Sequence, residues 1–214
     1  MATRTTYGQT AVAFILASLF SISSQATPIE LIQNGEFEVP VIGNLGFPAS
    51  PIPGWTCSSG ACELFGQGFA GSPVVGSDGF ATGQHHEVTN AAVSEFTTQG
   101  TGGLSRNGTV DLVFDSWARA ASGIRYSLFG TLSGALINNS YLFNTTNTWE
   151  AVSVTGVAVQ AGESLTLRFE SIGGSSAGAH IDQVSLQYTV PIPSTLAILF
   201  IGLLGLVINR RTRG

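Results

Sequence analysis

Three histidines, thirteen carboxylates and two cysteines are the side chains of this chain suited to metal, acid–base or thiol chemistry. His85 and His86 stand together in TGQHHEV with Glu87 next, while His180 lies far along the chain. Neighbouring residues on a strand face opposite sides, so the two imidazoles do not readily share one ion, and the pattern reads as a solvent-facing pair. Gly174, Ser175, Ser176, Ala177 and Gly178 satisfy G-x-S-x-G. A serine of that motif is reactive only where a strand turns sharply into a helix, and here it sits in a glycine- and serine-rich connection leading to a strand. No local motif singles out two of the acids as the paired carboxylates of a glycosidase, and no phosphate-cradling glycine loop is present. Trp55 and Trp117 are the candidate ligand platforms for sugar stacking, although Trp55, Trp117 and Trp149 all sit next to strands, where a sandwich core also uses large rings. Cys57 and Cys62, with four residues between them in CSSGAC, offer too few ligands for zinc and the wrong spacing for a redox pair. In an exported chain they are expected to form a structural disulfide.

The elements that must hold these groups are strands. Runs at 109–118, 124–132, 149–159, 164–171 and 180–188 are rich in Val, Ile, Thr, Phe and Leu and are separated by Gly, Ser and Asn. Val110, Leu112 and Phe114 fall on one face and Thr109, Asp111 and Val113 on the other; Leu165, Leu167 and Phe169 oppose Thr166, Arg168 and Glu170. Period-two alternation punctuated by turn residues predicts an all-β, antiparallel sandwich or barrel. Residues 40–108 hold many glycines and most of the prolines, so that half is expected to be loop-dominated and to carry any binding surface.

Both ends read as addresses. MATRTTYGQTAVAFILASLFSISSQATP has one charge, Arg4, an apolar stretch of about ten residues, and small residues Ser24 and Ala26 before a cut, which is the pattern of a secretory signal peptide over residues 1–26. At the other end an apolar run from Thr195 to Ile208 precedes Arg210, Arg211 and Arg213. As a helix it spans about 21 Å, a short membrane segment with the arginines on the cytoplasmic side and the domain outside. Residues 28–189 then keep four arginines, no lysine and all thirteen acids, a formal charge of −9. Nucleic acid is excluded as a partner because phosphate binding needs clustered Lys and Arg, and an acidic polysaccharide is repelled unless cations intervene.

The last 25 residues, VPIPSTLAILFIGLLGLVINRRTRG, resemble a PEP-CTERM sorting signal: Val190, Pro191 and Pro193 form a proline box, a Leu/Gly-rich helix follows, and the arginines end it. Ile192 stands where that family has Glu. The resemblance implies an inner-membrane precursor facing the periplasm, cleavage by an exosortase-type membrane protease, and a final place at the cell surface or in an exopolysaccharide matrix. The domain between has a second resemblance. LIQNGEFEVP, with Asn34, Gly35, Phe37 and Glu38, then Gly54-Trp55, then Ile181, Asp182, Val184, Ser185 and Leu186, is similar to the galactose-binding-like jelly rolls of many carbohydrate-binding modules. It implies a jelly-roll sandwich over residues 28–189, a non-catalytic glycan-binding role, and a structural calcium at Glu38 and Asp182. Two acids are few for a six- to eight-coordinate ion, and the alternatives are that Glu38 accepts loop amides and Asp182 caps its strand. A structural adhesin without sugar affinity and a polysaccharide-active enzyme are the competing functions.

Overall fold

The alternating runs become strands because each presents one apolar face that only a second sheet can cover. A computed structural model describes residues 26–42, 51–58, 63–79, 81, 83–88, 93–97, 103–118, 122–143, 147–172 and 178–191. The strands are β1 (Ile29–Glu30), β2 (Trp55–Cys57), β3 (Glu63–Phe65), β4 (His85–Val88), β5 (Val93–Thr97), β6 (Gly108–Ala118), β7 (Gly123–Gly130), β8 (Gly134–Phe143), β9 (Glu150–Val159), β10 (Leu165–Ile172) and β11 (Ala179–Thr189). The first sheet runs β3-β4-β11-β6-β9, with β1 also on β11, and the second runs β2-β5-β10-β7-β8; the strand pairs are antiparallel. Pro28–Val190 forms one compact unit.

The core lies between the sheets. Val110, Leu112 and Phe114 of β6 meet Leu165, Leu167 and Phe169 of β10, all fully buried, as the alternation requires. Phe114 stacks edge-on against Tyr126 at 5.1 Å and Phe169 at 5.0 Å, joining the two layers. Each such side chain contributes about 1.5–3 kcal/mol on burial. The expected division of the chain also appears: β2 to β5 have three to five residues each, whereas β6 to β11 have eight to eleven.

Strand β8 was not anticipated by the pattern. GALINNSYLF is not among the alternating runs because Asn138, Asn139 and Ser140 interrupt its apolar residues, and its register against β7 slips twice, between Tyr126 and Leu128 and again before Phe129. The turns at its end are clamped by Glu163. That carboxylate accepts N–H bonds from Ser133 at 2.8 Å and Gln160 at 2.9 Å, tying the β9–β10 turn to the β7–β8 turn. Burial opposes its charge, but these donors hold the carboxyl below its ordinary range. A Cβ on Gly130 would meet Glu163 Oε1 at 1.9 Å, so the clamp requires glycine there.

The segments expected to be a signal peptide and a sorting tail fall outside the described residues, except for Ala26, a half-buried Val190 and an exposed Pro191; Pro193, Arg210, Arg211 and Arg213 are among those outside. Among the described residues no helix is long and apolar enough to cross a membrane.

Candidate functional site

The short motifs at the two ends of the domain converge. Asn34 staples its own loop: its Nδ2 donates to Val39 O at 2.7 Å and its Oδ1 accepts from Val39 N at 3.0 Å. Gly35 lies against the last strand, where Val184 N donates to Gly35 O at 3.0 Å. A Cβ at Gly35 would meet Val184 O at 1.9 Å, which is why this position is glycine. Phe37, at φ 53°, plugs the core against Trp55 at 5.1 Å and His86 at 5.3 Å. Trp55 closes the ring by donating Nε1–H to Asn34 O at 3.3 Å.

Phe37 points inward and the acids beside it point outward. Glu36 and Glu38 are exposed, and Glu38 Oε1 accepts the Gln84 N–H at 2.8 Å. On the facing strand a bulge between Asp182 and Ser185, with Gln183 at φ 51°, turns the chain so that Gln183 Nε2 reaches Asp78 Oδ2 at 3.4 Å. The result is a cleft of about 520 Å³, with Glu30, Glu36, Glu38 and Asp78 as its carboxylates, Asn34 and Gln183 as its amides, and Ile32 and Val184 as its apolar wall. Glu30 is occupied structurally, its Oε1 accepting from Ile32 N and Leu186 N and its Oε2 from the Ser185 hydroxyl.

Asp182 is buried nearby. Burial pushes its carboxyl up to about 8; the Gln183 N–H opposes this, and the charges of Glu38, Asp115 and Glu36 add to it. Glu38 and Asp182, the candidate calcium ligands, are thus near enough for one to perturb the other. Among the described residues, however, no three His, Cys, Asp or Glu side chains are placed to share a metal ion.

The histidines are not solvent-facing, which corrects the reading from pattern. His85, His86 and His180 are at most 2% exposed. They do face opposite ways: His86 packs inward on Phe37 with Nδ1 2.9 Å from Glu63 O, while His85 faces out, its ring 5.0 Å from His180. The outer face is covered by residues 66–79, a strap with a single 3₁₀ turn, Phe69–Gly71. Phe69 stacks on Phe65 at 4.6 Å, Trp149 Nε1 donates to Pro73 O at 3.0 Å, and Ser77 gives its N–H to Asp115 Oδ2 at 2.9 Å and its hydroxyl to Oδ1. Beneath it Trp117 lies 4.6 Å from His180, and Glu87 accepts the Gly178 N–H at 2.6 Å. Burial is the main cause that lowers His85 and His86 to about 4 each, so both are neutral at pH 7.

Trp55 and Trp117, the candidate platforms, are 5% and 1% exposed and present no open ring face. Cys57 is half-buried at the end of β2, and Cys62 and most of the G-x-S-x-G segment lie outside the described residues. The cleft was missed as a site because its residues come from three separate segments, and residues 40–108, where the binding surface was expected, supply only Asp78; the acids Glu30, Glu36 and Glu38 around Asn34-Gly35 were the only signal.

No family model and no curated protein matches the chain. Solved structures do. A Stig cyclase from Fischerella sp. TAU, in complex with an indole compound, superposes with a TM-score of 0.57 at 16% identity over 78% of this chain and 100% of that one. The carbohydrate-binding module TmCBM61, in complex with β-1,4-galactotriose, does so with 0.50 at 13% identity, over 74% and 97%. At such identities the likeness is one of fold: this β-sandwich is shared with a sugar-binding module and with a cyclase.

Proposed function

We propose that the chain is an exported, non-catalytic glycan-binding module with a jelly-roll sandwich, working at the cell envelope or in an extracellular polysaccharide matrix. The observation that carries this reading is the open cleft between the first segment and β11, in a fold shared with the galactotriose-bound module. Carboxylates accept from sugar hydroxyls and the Asn34 and Gln183 amides both donate and accept, so the cleft suits a ligand made of hydroxyls. With the tryptophans buried, recognition rests on hydrogen bonds rather than ring stacking. Each is worth about 0.5–1.5 kcal/mol net, so single contacts are weak and affinity comes from repetition along a polymer. Neutral glycans fit directly; an acidic one needs a divalent cation between it and the cleft.

Calcium is proposed at the same end, with Glu38 and Asp182 as side-chain donors. The donor chemistry fits in part: hard oxygens surround a buried carboxyl that lacks a compensating cation, but the remaining ligands would have to be main-chain oxygens and water. Bound calcium would supply the positive charge that lets Asp182 ionise. The signal peptide, the proline box and the arginine tail support export, processing by an exosortase-type protease and display outside the inner membrane. The Cys57–Cys62 disulfide belongs to the same proposal.

One observation favours a second reading. A carboxyl still protonated near neutral pH is suited to donate a proton, and a cyclase shares the fold. Incubating the full chain with a glycan panel, with and without calcium, and then weighing the sugars separates the two. Binding with every glycan recovered unchanged is the expected result. Altered sugars, with the alteration lost in Asp182→Asn, would establish an enzyme, and silence on every glycan would leave a structural adhesin.

A further inference from the structure

The two sides of the sandwich end differently. On one side the sheets finish in strands of three residues, β3 and β2. On the other they finish in β8 and β9, ten residues each, which stand next to each other and, among the described residues, have a strand partner on one side only. Short edges protect themselves; long ones present a row of backbone donors and acceptors to any strand that approaches. From Gly134 to Val159 the only charged residue is Glu150, in a domain of formal charge −9. Leu136 and Leu142 of β8 and Val152, Val154 and Val157 of β9 pack only partly against the core, leaving an apolar seam between the edges. The outward positions Ala151, Ser153, Thr155 and Ala158 are small and exposed.

We propose that this side is the interface for a second copy of the chain, paired about a two-fold axis with β9 antiparallel to β9. The occupant follows from charge and symmetry. Twelve of the thirteen acids lie elsewhere in the domain and repel another copy, and the two edge strands carry Glu150 alone. An antiparallel strand is its own complement under a two-fold, so one patch serves both partners. The bulge at Thr155–Gly156, where β9 carries two residues against Asp111 alone, limits regular pairing to Glu150–Val154. The axis therefore passes at Val152, which sets Ala151 opposite Ser153 of the second copy. Dimerisation doubles the clefts on one particle and gives the multivalency that weak glycan contacts need, though the interface stands whether or not glycan binds.

Sedimentation velocity of the full chain in a mild detergent, across a wide concentration range, tests this. The native chain is expected to dimerise. The double variant Ala151→Lys, Ser153→Lys sets like charges opposite each other and should weaken the dimer about tenfold. Ala151→Glu, Ser153→Glu should do the same, and an equimolar mixture of the two variants should recover dimer. A native chain that stays monomeric, or Lys and Glu variants that associate as the native chain does, would overturn the proposal.

Discussion

The outer faces of the two sheets began from the same pattern and ended in different environments. In the second sheet the outward residues of β10 and β7 stay partly open: Thr166, Arg168 and Glu170 are half-buried, and Arg125 pairs with Glu170 at 3.1 Å with about a third of each side chain exposed. In the first sheet the outward residues His85, Glu87, Trp117, His180 and Asp182 are buried, and the strap packs on the same face through Phe65, Trp149 and Asp115. Alternation says which residues leave the core, and it says nothing of whether another segment then covers them. The cover here is residues 66–79, a piece rich in Gly with no period of its own, and it lies over a face whose rings form a second small core.

If that second core bears weight, cutting a ring from it should cost as much as cutting one from between the sheets. Trp117→Ala is expected to lose about 3–5 kcal/mol in denaturant unfolding. A loss near zero would mean that the strap lies on the face without packing it. The buried titratable groups of this sheet, His85 and Asp182 on the covered face and His86 on the inner one, should sense pH in both directions. His85 and His86 take up protons near pH 4 when folded and near 6.5 when unfolded, so the unfolded chain holds more protons between those values and stability falls as pH drops from about 6.5 to 4. The loss is on the order of a few kcal/mol, read as the unfolding midpoint against pH, and should shrink in His85→Gln.

Asp182 works the other way. Its folded proton persists to about pH 8 while the unfolded side chain has lost it above about 4, so its contribution falls as pH rises across that window. Asp182→Asn should remove that slope and be the more stable protein at pH 9 in chelator, by a few kcal/mol at most. Calcium at pH 8 should stabilise the native chain and leave the Asn variant unmoved; equal effects on both would remove calcium from this end of the domain. Ser77→Ala should loosen the strap by about 1–2 kcal/mol, seen as faster amide exchange in residues 66–79. Smallest is the open face: Arg125→Ala should cost under about 1 kcal/mol in thermal unfolding, because a half-exposed ion pair is well screened.

These contrasts also mark what was legible beforehand. The long strands of the second half could be read because Val110, Leu112 and Phe114, or Leu165, Leu167 and Phe169, repeat a strict period against a single buried layer. Strand β8 escaped because its Asn138-Asn139-Ser140 stretch looks like a turn and its slipped register breaks the period. The histidines were misplaced since His85 is buried among Phe65, Trp149 and His180, rings brought from three other segments, a long-range fact absent from TGQHHEV itself. Part of the candidate site was visible: Asn34, Gly35, Phe37, Glu38, Gly54-Trp55 and the Asp182 segment do meet, each for a separate steric or hydrogen-bonding reason. Asp78 and Gln183 could not be foreseen as neighbours, because a bulge in β11 brings them together.

The claim that the cleft beside β11 binds sugar is tested most directly by calorimetric titration of the full chain and of the variant Glu36→Gln, Asp78→Asn with the strongest glycan from the panel. Both residues are exposed, so the variant keeps its fold. The account predicts saturable binding by the native chain, about tenfold weaker in the variant, with the unfolding midpoint unchanged. Equal affinity in the two proteins would place the sugar elsewhere and contradict it.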